Sequence, residues 1–272
     1  MRSALFSILL LFASVLLSGQ SSGRFPYSRA MVSGEEYIDG ALLWLRFSGD
    51  YTDATGQNDG TNSGTTLQGD TACLYGDTDG NDYVNVGDFF TAELDTLTLS
   101  YMAYLDENLD ESYWAYGNAI RFVTSQPGVY TDFNNDGASH YEMIVRIADD
   151  ANDQSYAGTD GSACDNDIVP DTWHHIVEIF YYSGANETTW ICWVDGLYCH
   201  SSGDSIISKP ISWINAGGDL CFGRDGGTTY GGFREGNLLD EIMMFDCDLR
   251  YHSGGNYVDA LIANPYSMPL AE

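Results

Sequence analysis

Two adjacent histidines and a nearby pair of cysteines are the first residues of this sequence whose types suggest chemistry. His174 and His175 follow Trp173, and Cys192 and Cys199 come shortly after them. Imidazole and thiolate groups are common zinc ligands, so the stretch invites a metal-site interpretation. In a strand, however, successive side chains point to opposite faces, so the two histidines cannot bind one metal together. We therefore expect a structural role for at least one of them.

The cysteines favour disulfides over zinc. Asp195-Gly196 separates two apolar runs and is a strong signal for a two-residue hairpin turn, because both turn positions adopt positive φ. Counting outward from this turn places Cys192 opposite Cys199, within disulfide reach, although a regular turn makes this a hydrogen-bonded pair, where disulfides are less common. The six cysteines include no C-x₂-C pair. We predict a Cys192–Cys199 disulfide and oxidation of most of the other four.

The chain is strongly acidic, with 10 Lys and Arg residues against 40 Asp and Glu residues and a net charge of -30. This charge repels nucleic acid and anionic membranes, so neither is an expected partner. The excess of carboxylates is explained by turns and surface solvation, or by Ca²⁺ ligation in particular loops. Asp132, Asn134 and Asp136 match the first half of an EF-hand loop; we favour a plain turn there, with calcium as the alternative.

Aromatic residues and one sequon give further candidates for binding and modification. Tyr113, Trp114 and Tyr116 form a cluster that could stack on sugar rings, although such residues more often fill a sandwich core. Asn186 begins an Asn-Glu-Thr sequon in a predicted loop and is a candidate glycosylation site.

Short apolar or alternating runs between clusters of Gly, Asp and Asn must position these residues. Their spacing and the 30 glycines predict an all-β protein, a two-sheet antiparallel β-sandwich or a barrel. Residues 48–71 and 148–170 are predicted to be long surface loops. The predicted strands are Ala41–Phe47, Tyr83–Val86, Leu97–Leu105, Tyr141–Ile147, His175–Tyr181, Thr189–Val194 and Leu239–Phe245.

The N-terminus predicts export. Arg2 precedes the apolar run Leu5–Leu17, which has the form of a signal peptide and is short for a membrane span. We therefore expect a secreted protein without membrane insertion. The predicted organisation is a signal peptide over residues 1–23, an arm over 24–36, one sandwich domain over 37–262 and a tail over 263–272.

Five motifs, in order, resemble those of the laminin-G-like and concanavalin A-like jelly rolls, including the pentraxins. They are ALLWLRFSGDYTDATGQNDGT, TACLYGDTDGNDYVNVGD, LDTLTLSYMAYLD, DTWHHIVEIFYYSG with WVDGLY, and LCFGRDGG with LLDEIMMFD. The resemblance covers about residues 37–250 and implies a jelly-roll sandwich. It also makes the double histidine a feature of a sandwich strand.

The resemblance implies a calcium site and a second disulfide. In similar proteins the loop after the first strand and an acidic residue of the last strand meet around one ion, which here would be bound by Asp53, Asn58 and Asp240. Thr55 and Gln57 depart from the usual pattern of that loop. The expected neighbourhood of strands near the chain ends also suggests that Cys73 pairs with Cys247.

The function implied by the resemblance is that of a secreted, non-enzymatic, lectin-like module that binds a glycan or a glycosylated partner, with Ca²⁺ as its expected ion. One alternative is an extracellular structural or adhesion protein that assembles with copies of itself. Another is a divergent glycoside hydrolase, although the E-x-D-x-x-E pattern of such enzymes is absent and Glu107, Asp110 and Glu111 have the wrong spacing for one strand face.

Overall fold

Antiparallel β-strands make up most of the described part of the chain in this computed structural model of the protein. The structure describes residues 40–68, 72–75, 82–87, 94–106, 117–122, 128–135, 141–148, 154–159, 164, 167–184, 186–199, 205–207, 219–223, 236–252 and 256–266. The predicted signal peptide and arm, residues 1–36, lie outside these ranges.

Within the described residues, nine strands form the first sheet. A continuous path runs β13-β12-β11-β6-β16-β4-β3, while β1 pairs with β16 and β14 pairs with β12. The strands are β1 (Ala41–Leu45), β3 (Thr66–Leu67), β4 (Cys73–Leu74), β6 (Thr96–Tyr104), β11 (Trp173–Gly184), β12 (Glu187–Val194), β13 (Leu197–Tyr198), β14 (Ser205–Ile207) and β16 (Leu238–Phe245).

The second described sheet has seven strands in the order β10-β9-β8-β7-β15-β5-β2. Its strands are β2 (Thr61–Ser63), β5 (Tyr83–Gly87), β7 (Gly117–Phe122), β8 (Gly128–Asn135), β9 (Tyr141–Ala148), β10 (Gln154–Gly158) and β15 (Leu220–Phe222). Every strand pair identified in both sheets is antiparallel.

The main core lies between the two sheets. Leu43 and Leu99 of the nine-stranded sheet and Val145 and Phe222 of the seven-stranded sheet belong to one buried cluster. Removing this apolar surface from water is the main force that holds the sheets together, at about 25 cal/mol per Å² buried. The prediction of a two-sheet antiparallel sandwich of the jelly-roll class is confirmed.

A second buried cluster covers the outer face of the nine-stranded sheet. The helix α1 (Tyr257–Ala263) places Val258 and Leu261 over Trp44 and Phe245. This short helix was not among the elements predicted from the sequence. It overlaps the predicted boundary between the domain and its tail at residue 262.

All seven predicted strands are present, with small changes at their ends. The two regions predicted as long loops contain strands as well, since β2 and β3 lie in the first and β10 in the second. The prediction of a turn at Asp132 and Asn134 is wrong, because both residues lie within β8. Asp136 is outside the described residues, and calcium binding by these three residues stays a prediction. Eight register pairs with β9 override the local turn preference of Asp and Asn.

The predicted hairpin is confirmed in its register. Val194 pairs with Leu197, and the turn residues Asp195 and Gly196 have φ of 51° and 82°. Gly196 is also required sterically, because a Cβ there would lie 2.9 Å from the Cγ2 atom of Ile262. The turn therefore lies directly against α1.

The predicted disulfide pairing is wrong. Cys199 bonds to Cys164, with a Cα–Cα distance of 4.7 Å. Cys192 does lie opposite Cys199, whose N–H donates to the Cys192 carbonyl at 3.0 Å. At such a hydrogen-bonded position the two side chains are poorly placed for a bridge, and Cys192 packs into the inner core beside Glu178.

The structure describes both Cys73 and Cys247, and they form no disulfide with each other. The predicted pairing of these two residues is therefore wrong as well. Cys73 pairs with Leu239 across β4 and β16 and is buried in the core between the sheets. Cys247 packs against the cluster on the outer face of the nine-stranded sheet. The two side chains thus belong to different layers, although their strands are close in the fold.

Candidate ligand-binding face

A row of paired positions crosses the whole seven-stranded sheet, with one residue from each strand. From β10 to β2 the row consists of Tyr156, Arg146, Tyr130, Arg121, Cys221, Asn85 and Thr61. The adjacent positions Val145, Thr131 and Phe222 are buried towards the inner core. Because successive strand positions alternate between faces, the row lies on the outer face of the sheet.

Burial along β9 shows the same alternation directly. Tyr141, Met143 and Val145 are almost completely buried, whereas Glu142 and Ile144 between them are partly exposed. The outer face of the sheet is therefore accessible at β9, beside the position of Arg146. In contrast, α1 covers part of the outer face of the nine-stranded sheet.

The row contains two of the chain's ten Lys and Arg residues. Arg121 in β7 and Arg146 in β9 occupy the same row and are separated by Tyr130 in β8. Since neighbouring strands are about 4.8 Å apart, these two backbone positions are roughly 10 Å apart. Two cationic residues and an aromatic residue are thus gathered at one place in a strongly acidic protein.

The other half of the row is polar at Asn85 and Thr61, which are accessible, and is closed at Cys221. Cys221 is only 1% exposed, so neighbouring groups close the surface above β15. Asn85 donates from Nδ2 to Asp219 Oδ2 at 2.8 Å and accepts the Gly87 N–H at 2.6 Å. Among the described outer positions, accessible surface is therefore present at Glu142 and Ile144 of β9 and at Asn85 and Thr61, with buried Cys221 between these two groups.

Acidic residues border the arginine positions. Asp132 occupies the next outward position along β8 and pairs with Ile144. A Cβ at Gly158 would lie 2.6 Å from Glu142 Oε1, so this glycine leaves room for the Glu142 carboxylate beside β10. One acidic residue on β8 and one on β9 therefore lie close in sequence to the row that contains the two arginine positions.

The predicted aromatic platform of Tyr113, Trp114 and Tyr116 lies outside the described residues, immediately before β7. The row of Tyr130 and Tyr156 with the two arginines was not predicted from the sequence. Its signal is present only in the pairing of the strands, because these residues come from four separate segments of the chain.

Asp53 organises the loop in which calcium was predicted. Its Oδ1 atom accepts N–H groups from Trp44 and Thr55 at 2.8 and 2.9 Å, and its Oδ2 atom accepts those of Gln57 and Asn58 at 3.2 and 3.0 Å. The Thr55 hydroxyl also donates to Oδ2. Since a carboxylate offers about four lone-pair sites, these donors occupy it, and a cation would have to displace some of them.

Asp240 forms a buried acidic pair with Glu241. Its Oδ1 atom accepts the Glu241 N–H at 2.8 Å, and Glu241 accepts the indole N–H of Trp44 at 2.6 Å. Burial raises the pKa of Asp240 well above its usual value and that of Glu241 to about 7. Among the described residues, no group of three or more His, Cys, Asp and Glu side chains could hold a metal ion. Calcium binding by Asp53, Asn58 and Asp240 stays a prediction.

The two histidines have separate partners. His174 Nδ1 contacts Asp195 Oδ2 at 2.7 Å, and its Nε2 lies 2.9 Å from the Val169 carbonyl oxygen. His175 Nε2 contacts the Ser100 hydroxyl at 2.9 Å, and burial lowers the pKa of His175 to about 4. Both side chains are buried parts of the sandwich, which is the structural role expected for at least one of them.

Asn186 lies in the turn between β11 and β12, where it is exposed and has a φ of 65°. Thr188, the third residue of the sequon, is buried in β12. The acceptor nitrogen is therefore on the surface, and its glycosylation stays a prediction. In the part of the chain that the structure describes, no helix has the length and apolar character needed to cross a bilayer.

The comparisons rest on structure alone. No protein-family model matches the chain, and no curated protein sequence matches it. The binding domain of Paraclostridial Mosquitocidal Protein 1 is similar, with a TM-score of 0.59 and 15% identity over 84% of this chain. The match covers 52% of that solved chain, so the present chain spans about half of its length.

Two further solved structures show weaker likeness. Alginate lyase Aly36B has a TM-score of 0.44 and 11% identity, covering 76% of this chain and 97% of that one. The SAP-like pentraxin of Limulus polyphemus has a TM-score of 0.41 and 15% identity, covering 64% and 74%. At these identities a likeness concerns the fold alone. The chain has a two-sheet antiparallel β-sandwich fold of the jelly-roll class, similar to that of the mosquitocidal-protein binding domain.

Proposed function

We propose that the protein is a secreted, non-enzymatic module that binds glycans on the outer face of its seven-stranded sheet. The observation that carries this proposal is the row across the sheet, in which Tyr130 and Tyr156 alternate with Arg146 and Arg121. Aromatic rings offer flat apolar surfaces to sugar rings, and guanidinium groups donate to their oxygens.

The sheet provides a rigid platform for an extended ligand. Seven paired strands span roughly 29 Å between the outermost two, at about 4.8 Å for each step. The backbone of packed strands is already ordered before a ligand binds. Binding therefore costs little conformational entropy of the protein, and little affinity is lost. The fold likeness to a domain described as a binding domain supports a binding role, and it does not specify the ligand.

A glycan array tests the proposal. The wild-type protein should retain a restricted set of glycans, and Tyr130→Ala should lose them. Tyr251→Ala is the matched control, since Tyr251 is 75% exposed and lies next to α1, away from the proposed face. This control should bind as the wild type does, with both variants unfolding close to the wild-type temperature.

The same samples test the rival functions. Absence of any bound glycan, combined with self-assembly in light scattering, would contradict the proposal and favour a structural or adhesion protein. Shortened oligosaccharides after incubation would show an enzyme. Loss of binding in both tyrosine variants would place the site elsewhere.

A further inference from the structure

We infer that the ligand of the seven-stranded sheet is an acidic glycan whose carboxylates bind Arg121 and Arg146 on either side of Tyr130. The inference rests on the proposed function and adds the chemical class of the ligand. Strand pairing brings the two arginines into one row, although no short motif of the sequence contains both.

The backbone places the two arginines on either side of the tyrosine. Arg121 pairs with Tyr130, and Tyr130 pairs with Arg146, so the three positions form a straight line across β7, β8 and β9. The arginine positions are roughly 10 Å apart with the tyrosine midway. A sugar ring over the tyrosine would have an arginine position on each side, along the direction in which a polysaccharide extends across the strands.

Both cationic residues of the row are arginines. A guanidinium group is planar and binds a carboxylate through two parallel hydrogen bonds, which gives both strength and direction. A neutral sugar needs no such pair of cations. In a chain with a net charge of -30, two arginines in one row of an outer sheet face provide a local exception to the general repulsion of anions.

The same face also carries acidic residues outside the line of the two arginine positions. Asp132 occupies the outward position next to Tyr130 on β8, and Glu142 is partly exposed on β9. These carboxylates oppose a ligand that is anionic along its whole width. Carboxylates of a ligand are therefore accepted only along the line through Arg121 and Arg146. The face should consequently prefer glycans whose carboxylates have the spacing of these two arginines.

The test uses uronate-containing oligosaccharides together with their carboxyl-reduced counterparts, which keep the rings and linkages and lose the charge. Suitable probes are fragments of polygalacturonate, polymannuronate, hyaluronan and heparosan, with binding measured by calorimetry in low and high salt. At least one acidic probe should bind, and its reduced counterpart should bind at least roughly tenfold more weakly. High salt should weaken the acidic complex.

Single substitutions test whether Arg121 and Arg146 bind the acidic probe. Arg121→Gln and Arg146→Gln should each weaken binding of the acidic probe roughly tenfold, whereas Asp132→Asn should strengthen it. Arg250→Gln is the control, because Arg250 forms an ion pair with Asp248 at 2.6 Å next to α1. Two separate arginine variants keep the test decisive if one of them fails to fold.

The outcomes distinguish the inference from the function on which it rests. Equal binding of acidic and reduced probes would overturn the inference and leave glycan binding standing. Binding that Arg250→Gln weakens as much as Arg146→Gln would also overturn it. Absence of binding to every probe, acidic and neutral, together with an empty glycan array, would overturn both.

Discussion

Glu178 of β11 and Thr131 of β8 join the two sheets across the core, with the Thr131 hydroxyl 3.1 Å from both Glu178 carboxyl oxygens. Tyr101 and Trp190 also donate to this carboxyl group, at 3.2 and 3.1 Å. Burial raises the pKa of Glu178 to about 7, and the three donors oppose the rise. Because its hydrogen bonds are directional, the Glu178 carboxyl group fixes how the two otherwise apolar sheet faces pack against each other.

The first prediction concerns the pH dependence of stability. The folded-state pKa of Glu178, about 7, lies above its ordinary value of 4.5, so the folded protein binds the proton more tightly. The contribution of Glu178 to stability is therefore most favourable below pH 4.5 and falls by about 3 kcal/mol as the pH rises to 7. It becomes constant only well above pH 7, once the folded carboxyl group is fully ionised.

Glu178→Gln isolates this effect, because the amide keeps the shape and cannot ionise. The difference in unfolding free energy between wild type and variant, measured in urea from pH 4 to 8, should move in favour of the variant with rising pH. Comparison with the variant removes the opposite contribution of His175, whose pKa is lowered to about 4. A difference that is independent of pH would contradict the assignment.

The second prediction concerns the disulfide. Cys164 and Cys199 are 35 residues apart, and a cross-link of this length restricts the unfolded chain by about 4 kcal/mol in the entropic treatment. Peptide mapping under non-reducing conditions should recover these two cysteines in one linked pair. Cys199→Ser should lower the unfolding free energy by several kcal/mol and shift it no further under reduction. A linked peptide containing Cys192 and Cys199 would contradict the structure.

The third prediction concerns His174 and Asp195. Burial disfavours the charged imidazole, but hydrogen bonds to Asp195 and to the Val169 carbonyl raise the pKa of His174 above its ordinary value. The resulting stabilisation is fully present below the unfolded-state pKa of about 6.5 and is lost as the pH rises through the folded-state value. At low pH, Nε2 of the charged ring donates to the Val169 carbonyl, 2.9 Å away, and at high pH it accepts the Val169 N–H at 3.1 Å.

Asp195→Asn tests this pair without disturbing the turn, because Asn-Gly also favours the positive φ of both turn residues. The variant should lose about 1–2 kcal/mol of unfolding free energy at pH 5.5 and clearly less at pH 8.5. Urea unfolding at both pH values gives the comparison. Equal losses at the two pH values would show that the charge of His174 contributes nothing.

The fourth prediction separates the two roles of Asp53. If its carboxylate holds the loop, Asp53→Asn should cost about 2 kcal/mol or more even in EDTA, because an amide nitrogen would face the N–H groups of Gln57 and Asn58. Asp50→Asn, at an exposed site of the same loop, should change stability by less than about 0.5 kcal/mol. A loss that appears only in millimolar Ca²⁺ would show instead that Asp53 binds the ion.

The sequence predicted local features and missed long-range ones. The register of Val194 with Leu197 follows from Asp195-Gly196 alone, because a two-residue turn determines which residues face each other. The partner of Cys199 does not follow in this way, since Cys164 arrives from a separate segment. The separation of cysteines in the sequence does not show whether Cys164 or Cys192 has the better geometry for a disulfide with Cys199.

The candidate binding face was likewise missed because it depends on contacts between distant parts of the sequence. Asp132 and Asn134 have turn-forming types, and only the pairing of β8 with β9 shows that they lie in a strand. Arg121 and Arg146 are 25 positions apart in the sequence, so their common row is visible only when β7, β8 and β9 are aligned. Binding sites on sheets combine residues from several strands, and single motifs do not reveal them.

The most direct measurement of the central claim is hydrogen exchange of the backbone amides with and without the glycan that binds best on the array. Bound ligand should slow exchange in peptides from β7 to β10 and leave β11 and β12 of the other sheet unchanged, since the proposed site lies on the outer face of the seven-stranded sheet. Protection centred on the nine-stranded sheet or on α1, with none in β8 and β9, would contradict the account.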